Sequence, residues 1–323
     1  MTTAIALWLI IGGGVVAYAG WAAIAIARGA EPWWYLAGAV AIYPLAVCAI
    51  TASWFLLAWV FRAPRPRRAR LTASASARLF WNEGCAIARF PRMALYKWLV
   101  REPRPAPATA PVLLLHGVLC NAGIWHGFRK YLSARGLGPL YTLSYGPPLA
   151  SIEVFAAQVA KKIDYIRRAT GASRVAIVGH SMGGLVARAY LRRFGAASVS
   201  ALITFGAPHH GSVHARLFPG ACLGQLRPGS RWLAELNRTE ETEHVVPIVS
   251  IWSWHDSMVA PQTSGRLRGA RNIEVFGVGH NALLNDTNVR ALVAGELERI
   301  ARGGTRGHAA ARAPTAATSE SPG

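Results

Sequence analysis

The sequence predicts an α/β fold, a mostly parallel sheet with helices on both faces, preceded by an N-terminal transmembrane helical hairpin. Three observations predict it. Between residues 112 and 301 short apolar runs alternate with segments of helical period, the pattern of a sheet covered on both sides. One run, Arg174-Val175-Ala176-Ile177-Val178, leads directly into Gly179-His180-Ser181-Met182-Gly183 and then into a helical pattern. The first 61 residues contain two long stretches without a charged side chain.

The hairpin comes first. Residues 1–27 are uncharged, Arg28 and Glu31 follow, and Pro32–Phe61 is again uncharged. Each stretch exceeds the roughly 20 residues needed to cross a bilayer. A cleaved secretory signal would carry a basic start, and Met1–Ile10 has no Lys or Arg. Trp33, Trp34 and Tyr35 stand where an interfacial aromatic belt would sit. Gly13 with Ala17, or Gly12 with Gly20, offers a small face for helix packing, and Pro44 is tolerated in a membrane helix.

Orientation follows from the flanks. The inter-helix loop has one Arg, whereas Arg62, Arg65, Arg67, Arg68 and Arg70 follow the second helix. That end is expected to be cytoplasmic, in a bacterial-type inner membrane, with the domain that follows facing the cytoplasm. The chain has 35 Lys and Arg against 15 Asp and Glu, a net charge of +20. Clustered positive charge can mark a nucleic-acid binder, but its placement here points elsewhere. Residues 62–104 hold eleven Lys or Arg and two acids, so the excess lies beside the membrane, where anionic headgroups attract it. Leu79, Phe80, Trp81, Phe90, Leu95, Tyr96, Trp98 and Leu99 give this basic segment an interfacial character; the alternative is a solvated linker. The membrane, through residues 1–61 and 62–104, is the expected partner; nucleic acid is not, and the sequence leaves the oligomeric state open.

A Pro-rich stretch, Glu102–Pro111, ends the juxtamembrane segment 62–109, and a soluble domain is expected over residues 110–302. Strands are expected at Val112–Leu115, Leu140–Leu143, Arg174–Val178, Val199–Phe205, Val246–Trp252 and Asn272–Phe276. Helices are expected at Ala122–Arg135, Ser151–Ala169, Leu185–Phe194 and Thr287–Ala301. Residues 303–323, poor in large apolar side chains, read as a disordered tail. Cys48, Cys85, Cys120 and Cys222 form no C-x-x-C pair and no metal-like spacing. On the cytoplasmic side they would be reduced thiols; on the other side Cys120 and Cys222 would be the pair to test.

The strand, turn and helix around Ser181 have the form of a nucleophile elbow, in which Gly179 and Gly183 permit the tight turn that exposes the serine. A serine hydroxyl is a weak nucleophile, so it needs a base and an acid to orient that base. With such an elbow the partners follow in the order Ser, Asp or Glu, His. Of the three aspartates, Asp164 precedes the serine and Asp286 follows the last credible histidine, which leaves Asp256. Glu235, Glu240, Glu241, Glu243 and Glu274 share its window, the first four in a charged segment and the last inside a strand. Beyond Asp256 only His280 and His308 remain, and His280 sits on a glycine-flanked loop after the last strand. Two backbone N–H groups must meet the developing oxyanion: Met182 supplies one by position, and Val118, after the first strand, is the candidate for the other. His116 and His180 are expected to shape their loops. His209 and His210 are adjacent and point apart on an extended stretch, so no metal site and no cofactor is expected.

These pieces together resemble the α/β-hydrolase superfamily, and within it the bacterial lipase and esterase group. The resemblance rests on Leu115-His116-Gly117-Val118-Leu119, Gly179–Gly184, Thr204–Ser212 and Gly279-His280, and covers residues 110–302. It implies that Ser181 attacks an ester carbonyl, His280 moves the proton and Asp256 holds the imidazolium. Leu226–Asn237 looks like part of that group's cap, placing a cap at about residues 210–243, where Leu217, Phe218, Leu223, Leu226, Trp232, Leu233 and Leu236 either bind an acyl chain or simply pack. Some relatives carry a structural calcium held by aspartates; with Asp256 in the triad only Asp286 remains nearby, so none is expected. The resemblance thus implies a membrane-anchored serine hydrolase cleaving carboxylic esters, with an acyl ester or lipid as substrate. A thioesterase or acyltransferase using the same acyl-enzyme, or a non-catalytic membrane scaffold, are the alternatives.

Overall fold

A computed structural model describes residues 2–93, 95, 100–238 and 246–310. The chain opens with α1 (Thr2–Ala27) and α2 (Pro32–Val60), both long and apolar enough to cross a membrane. From Leu9 onward their side chains face outward almost throughout. The two helices meet near the loop, where the Tyr18 hydroxyl donates to the Tyr35 carbonyl at 2.8 Å and Trp21 packs edge-on against Tyr35. The glycine face of α1 faces open space at Gly12, Gly13 and Gly20, so aromatic contacts, not small-residue packing, join this pair.

The sheet has six parallel strands in the order β2-β1-β3-β4-β5-β6. They are β1 (Val112–Leu115), β2 (Leu140–Leu143), β3 (Val175–His180), β4 (Val199–Phe205), β5 (Ile248–Ser253) and β6 (Arg271–Val275). Strands buried on both faces should be apolar at every position, and β1 is Val-Leu-Leu-Leu with all four residues buried. Their alternation sorts the core into two layers. Leu113, Leu115, Val175, Ile177 and Leu202 point to one face, against α5 (Ile152–Thr170) and α6 (Met182–Phe194). Val112, Leu114, Ala176, Val178 and Ile203 point to the other, against α4 (His126–Ser133) and α9 (Thr287–Ala310). Fully burying each such side chain contributes about 1.5–3 kcal/mol, so these two layers dominate the domain's stability.

Three helix boundaries differ most from the sequence expectation. The helix expected at Ala122 begins as a 3-10 turn, Ala122–Trp125, and only then becomes α4. The α6 helix starts at Met182, immediately after the serine, not at Leu185. The closing helix α9 runs to Ala310, beyond the expected start of the tail at Gly303; residues 311–323 lie outside the described residues.

The largest difference concerns residues 62–109. Residues 73–88 form a helix, α3 (Ala73–Ala88), N-capped by Thr72 and packed against α2. Leu79 is buried in it, Phe80 stacks towards Phe55 of α2, and Trp81 stays exposed. Of the remaining residues expected at an interface, Tyr96, Trp98 and Leu99 lie outside the described residues. The segment before α3 is also folded onto the domain: Ala63 and Ala69 pack with Trp252 and Trp254, and Arg68 pairs with Glu274 at 2.8 Å. The Ala63 N–H donates to Gln262 Oε1, whose amide donates back to the Ala58 carbonyl of α2. Residues 62–93 are therefore part of the domain's packing, and they approach the end of the sheet where β5 and β6 stop.

Candidate active site

Ser181 sits between β3 and α6 with φ 56° and ψ −130°, a backbone conformation that costs a non-glycine residue about 1–3 kcal/mol and needs its surroundings to hold it. The neighbouring glycines allow the turn. A Cβ on Gly179 would lie 2.6 Å from the Gly184 nitrogen, and one on Gly183 would lie 2.2 Å from the Leu115 carbonyl oxygen. Only hydrogen fits at either place.

The three residues singled out from sequence come together. His280 Nε2 lies 2.9 Å from Ser181 Oγ, and Nδ1 lies 3.0 Å from each oxygen of Asp256. Asp256 Oδ1 also accepts from the N–H groups of Met258 and Val259, at 2.8 and 2.7 Å, so the carboxylate is fixed from behind. Because a carboxylate only accepts, the His280 proton resides on Nδ1 and leaves Nε2 free to accept from the serine. Burial lowers the His280 pKa; the Asp256 charge, the hydrogen bond to it and the Glu83 charge together more than offset this, so the pKa stands above the ordinary imidazole value.

The competing acids are placed elsewhere. Glu274 accepts from the Trp254 indole and pairs with Arg68, Glu235 pairs with Arg238 on the surface, and Asp286 accepts from the Val289 N–H at the start of α9. Glu240, Glu241 and Glu243 lie outside the described residues.

The loop after β1 lies directly over the serine, since a Cβ on Gly117 would come within 2.9 Å of Ser181 Cβ. Val118 borders the cavity in front of Ser181, and Leu119 follows at φ 55°. Met182 opens α6, where a first-turn N–H has no partner inside the helix. Both N–H groups therefore belong to segments that flank the hydroxyl. His116 stacks on Tyr145 with ring centroids 4.0 Å apart and donates from Nδ1 to the Gly117 carbonyl, while the Tyr145 hydroxyl donates to the His116 carbonyl. Burial lowers the His116 pKa to about 4, so it is a neutral loop-shaping group. His180 donates from Nε2 to the His280 carbonyl at 3.2 Å and is likewise held neutral by burial.

A cavity of about 280 Å³ opens onto Ser181. Its walls are largely apolar; besides the loops that carry Val118 and Met258, they include Trp54 of α2, Ile87 and Phe90 of the juxtamembrane segment, and Phe218, Leu223 and Leu226 of the segment between β4 and β5. That last segment contains α7 (Ala221–Leu226) and α8 (Arg231–Arg238), the cap expected at residues 210–243; its residues 239–243 lie outside the described residues. The two readings of its apolar side chains divide by residue. Phe218, Leu223 and Leu226 line the cavity, Leu233 and Leu236 join the core, Trp232 packs against that core, and Leu217 is exposed.

His209 is buried between Thr204 and Arg188, and His210 faces Asn237. Among the described residues no three His, Cys, Asp or Glu side chains converge to hold a metal ion. All four cysteines are free; burial lifts the Cys120 pKa to about 12 and the Cys222 pKa to about 11, which keeps both thiols protonated.

Sequence reasoning missed Glu83. It is fully buried in α3, and its carboxylate accepts from Ser257 Oγ at 2.6 Å and from the N–H groups of Asn281 and Ala282. Its signal, an isolated acid among basic residues, is equally that of a solvated helix.

A parallel sheet of this order, with a strained serine between strand and helix and a histidine on the loop after the last strand, defines an α/β-hydrolase. Lipases are among the proteins to which this chain is similar. The model of the PGAP1-like alpha/beta domain family matches residues 146–265. A triacylglycerol lipase of Pseudomonas fragi is 31% identical over 111 residues, which is 32% of this chain and 36% of that lipase. The match thus spans about a third of each protein. Among solved structures, the mature lipase BlEst2 of Bacillus licheniformis superposes with a TM-score of 0.54 at 17% identity, covering 61% of this chain and 96% of that one. Lipase B of Aspergillus fumigatus gives 0.52 at 22% identity, covering 59% and 52%. At these identities the two structures speak for the fold.

Proposed function

We propose that the protein is a membrane-anchored serine hydrolase that cleaves carboxylic esters of lipids or other acyl esters held in the bilayer. The observation that carries this is the unbroken hydrogen-bonded chain from Ser181 Oγ through His280 to Asp256. Ser181 Oγ attacks the ester carbonyl as His280 Nε2 takes its proton, and Asp256 stabilises the imidazolium without itself becoming protonated. The oxyanion accepts from the N–H groups of Val118 and Met182. Collapse breaks the ester C–O bond, His280 returns the proton to the leaving alcohol, and the acyl group stays on Ser181. Water, deprotonated by His280, then releases the acid and the free serine.

The cavity supports a lipid-like substrate. Its apolar walls suit a hydrocarbon chain, and one of them belongs to α2. With 29 residues α2 is about 44 Å long, against about 30 Å of bilayer hydrocarbon, so its C-terminal end extends past the acyl region. Trp54 lies six residues, about 9 Å, from Val60, which sets the cavity near the lipid boundary. The five arginines that follow α2 support a cytoplasmic placement of the domain.

The test is a fluorophosphonate probe together with p-nitrophenyl esters. Wild-type protein should be labelled and active, and Ser181→Ala should be neither. Labelling of the alanine variant would overturn the assignment of the serine.

A further inference from the structure

We propose that Glu83, delivered by the juxtamembrane helix α3, is a positioning residue that clamps the Asp256 loop to the His280 loop and supplies a second negative charge facing the imidazole. The inference rests on the serine-hydrolase reading above. It deepens that reading by making the segment between membrane and domain part of the machinery.

The geometry is specific. Ser257 is the residue after Asp256, and Asn281 is the residue after His280. One carboxylate holds both: Oε1 accepts from Ser257 Oγ at 2.6 Å, from the Asn281 side-chain amide at 2.8 Å and from its backbone N–H at 3.0 Å. Oε2 accepts from the N–H groups of Asn281 at 3.1 Å and Ala282 at 2.9 Å. Ser257 Oγ accepts in turn from the His280 N–H at 3.3 Å, which closes the link between the two loops. Approach is so close that a Cβ on Gly279 would lie 2.5 Å from Glu83 Oε2. These bonds join residues 174 to 199 positions apart, so nothing local could replace them.

Every donor to Glu83 is neutral, and the carboxylate is fully buried. A group needed only for shape would be better served by an uncharged side chain, because burying a charge is costly. The charge has a use at His280. Facing that ring are Asp256, Glu83, the Ser181 hydroxyl, and two histidines, His180 and His214, which burial keeps neutral. Glu83 and Asp256 are therefore the two charges that favour the imidazolium formed when Ser181 loses its proton.

The clamp also reaches the membrane helix. The position of Gly84 lies against Thr51 of α2, and the Tyr43 hydroxyl of α2 donates to the Ala88 carbonyl at the end of α3 at 2.7 Å. Displacing α3 from α2 would move the carboxylate that holds both loops.

The experiment compares full-length wild type, Glu83→Gln and Ser181→Ala in lipid nanodiscs, with a p-nitrophenyl ester and the fluorophosphonate probe. For Glu83→Gln, kcat should fall by about tenfold or more while KM stays within about twofold. The acid midpoint of its pH profile should move down by about half a pH unit or more, because a negative charge near His280 is gone. Glu83→Asp, which keeps the charge on a shorter arm, should restore the midpoint. Wild-type kcat and midpoint in Glu83→Gln would overturn the proposal, while a dead Ser181→Ala would leave the hydrolase reading intact. An unlabelled wild type, or a labelled Ser181→Ala, would sink the hydrolase reading and this proposal with it. Should Glu83→Gln fail to fold, Ser257→Ala removes one arm of the clamp: its probe labelling should slow by about threefold or more, and a wild-type rate would overturn the clamp.

Discussion

Asp256→Asn is the substitution whose effect the hydrogen bonds determine most fully. Asp256 Oδ1 accepts from two backbone N–H groups, those of Met258 and Val259. In an asparagine those donors fix the side-chain oxygen at the Oδ1 position, and the amide nitrogen takes the place of Oδ2. That NH2 group then points at His280 Nδ1 from 3.0 Å, where a donor now stands in place of an acceptor. Oδ1 also lies 3.0 Å from Nδ1 but already accepts two backbone N–H groups. The ring therefore best meets the new donor with its proton on Nε2, which faces Ser181 Oγ and can then no longer accept. The volume is unchanged and the fold should persist, yet the base is in the wrong tautomer. By comparison with the same exchange in serine proteases, a loss of about 10⁴ in kcat near neutral pH is expected, or about 5.5 kcal/mol of barrier. The assay is ester hydrolysis by purified protein alongside a melting curve. A folded variant within about tenfold of wild type would refute the assignment of Asp256 and point to another acid.

Two further outcomes follow from the site. The base must be neutral to work, and the His280 pKa is raised, so kcat/KM should climb with pH through a midpoint above the ordinary imidazole value of about 6.5; a midpoint at or below that value would contradict the electrostatic account. Trp54→Ala removes the α2 wall of the cavity and its contacts with the His214 and Phe218 rings, at 5.2 and 6.0 Å. It should lower kcat/KM for a long-chain ester by about tenfold, or 1.4 kcal/mol, while leaving an acetyl ester nearly unchanged; equal losses on both would remove α2 from substrate binding.

What could be read from the sequence depended on how local its cause was. The inner strands are legible because a strand buried on both faces must be apolar at consecutive positions, as β1 is. Ser181 is legible because the elbow needs Gly179 and Gly183 within two residues of it, and the clashes at those sites show why. Asp256 and His280 follow from chain order and scarcity, with only three aspartates in 323 residues. Glu83 had no such handle. Its partners are 174 and more residues away, and a lone acid in a segment whose charges are otherwise almost all basic suggests a solvated face. Gly279, which flanks His280, leaves the room that Glu83 needs to approach. The packing of the juxtamembrane segment was illegible for the same reason: its composition describes charge, whereas its position is set by long-range contacts to Trp252, Gln262 and Glu274.

The central claim is that Ser181 carries the acyl group. Wild-type protein mixed with a slowly deacylating long-chain ester and quenched during turnover should show, by peptide mass spectrometry, the acyl mass on the peptide containing Ser181, and Ser181→Ala should show none. An acyl group on another residue, or turnover that survives in Ser181→Ala, would contradict it.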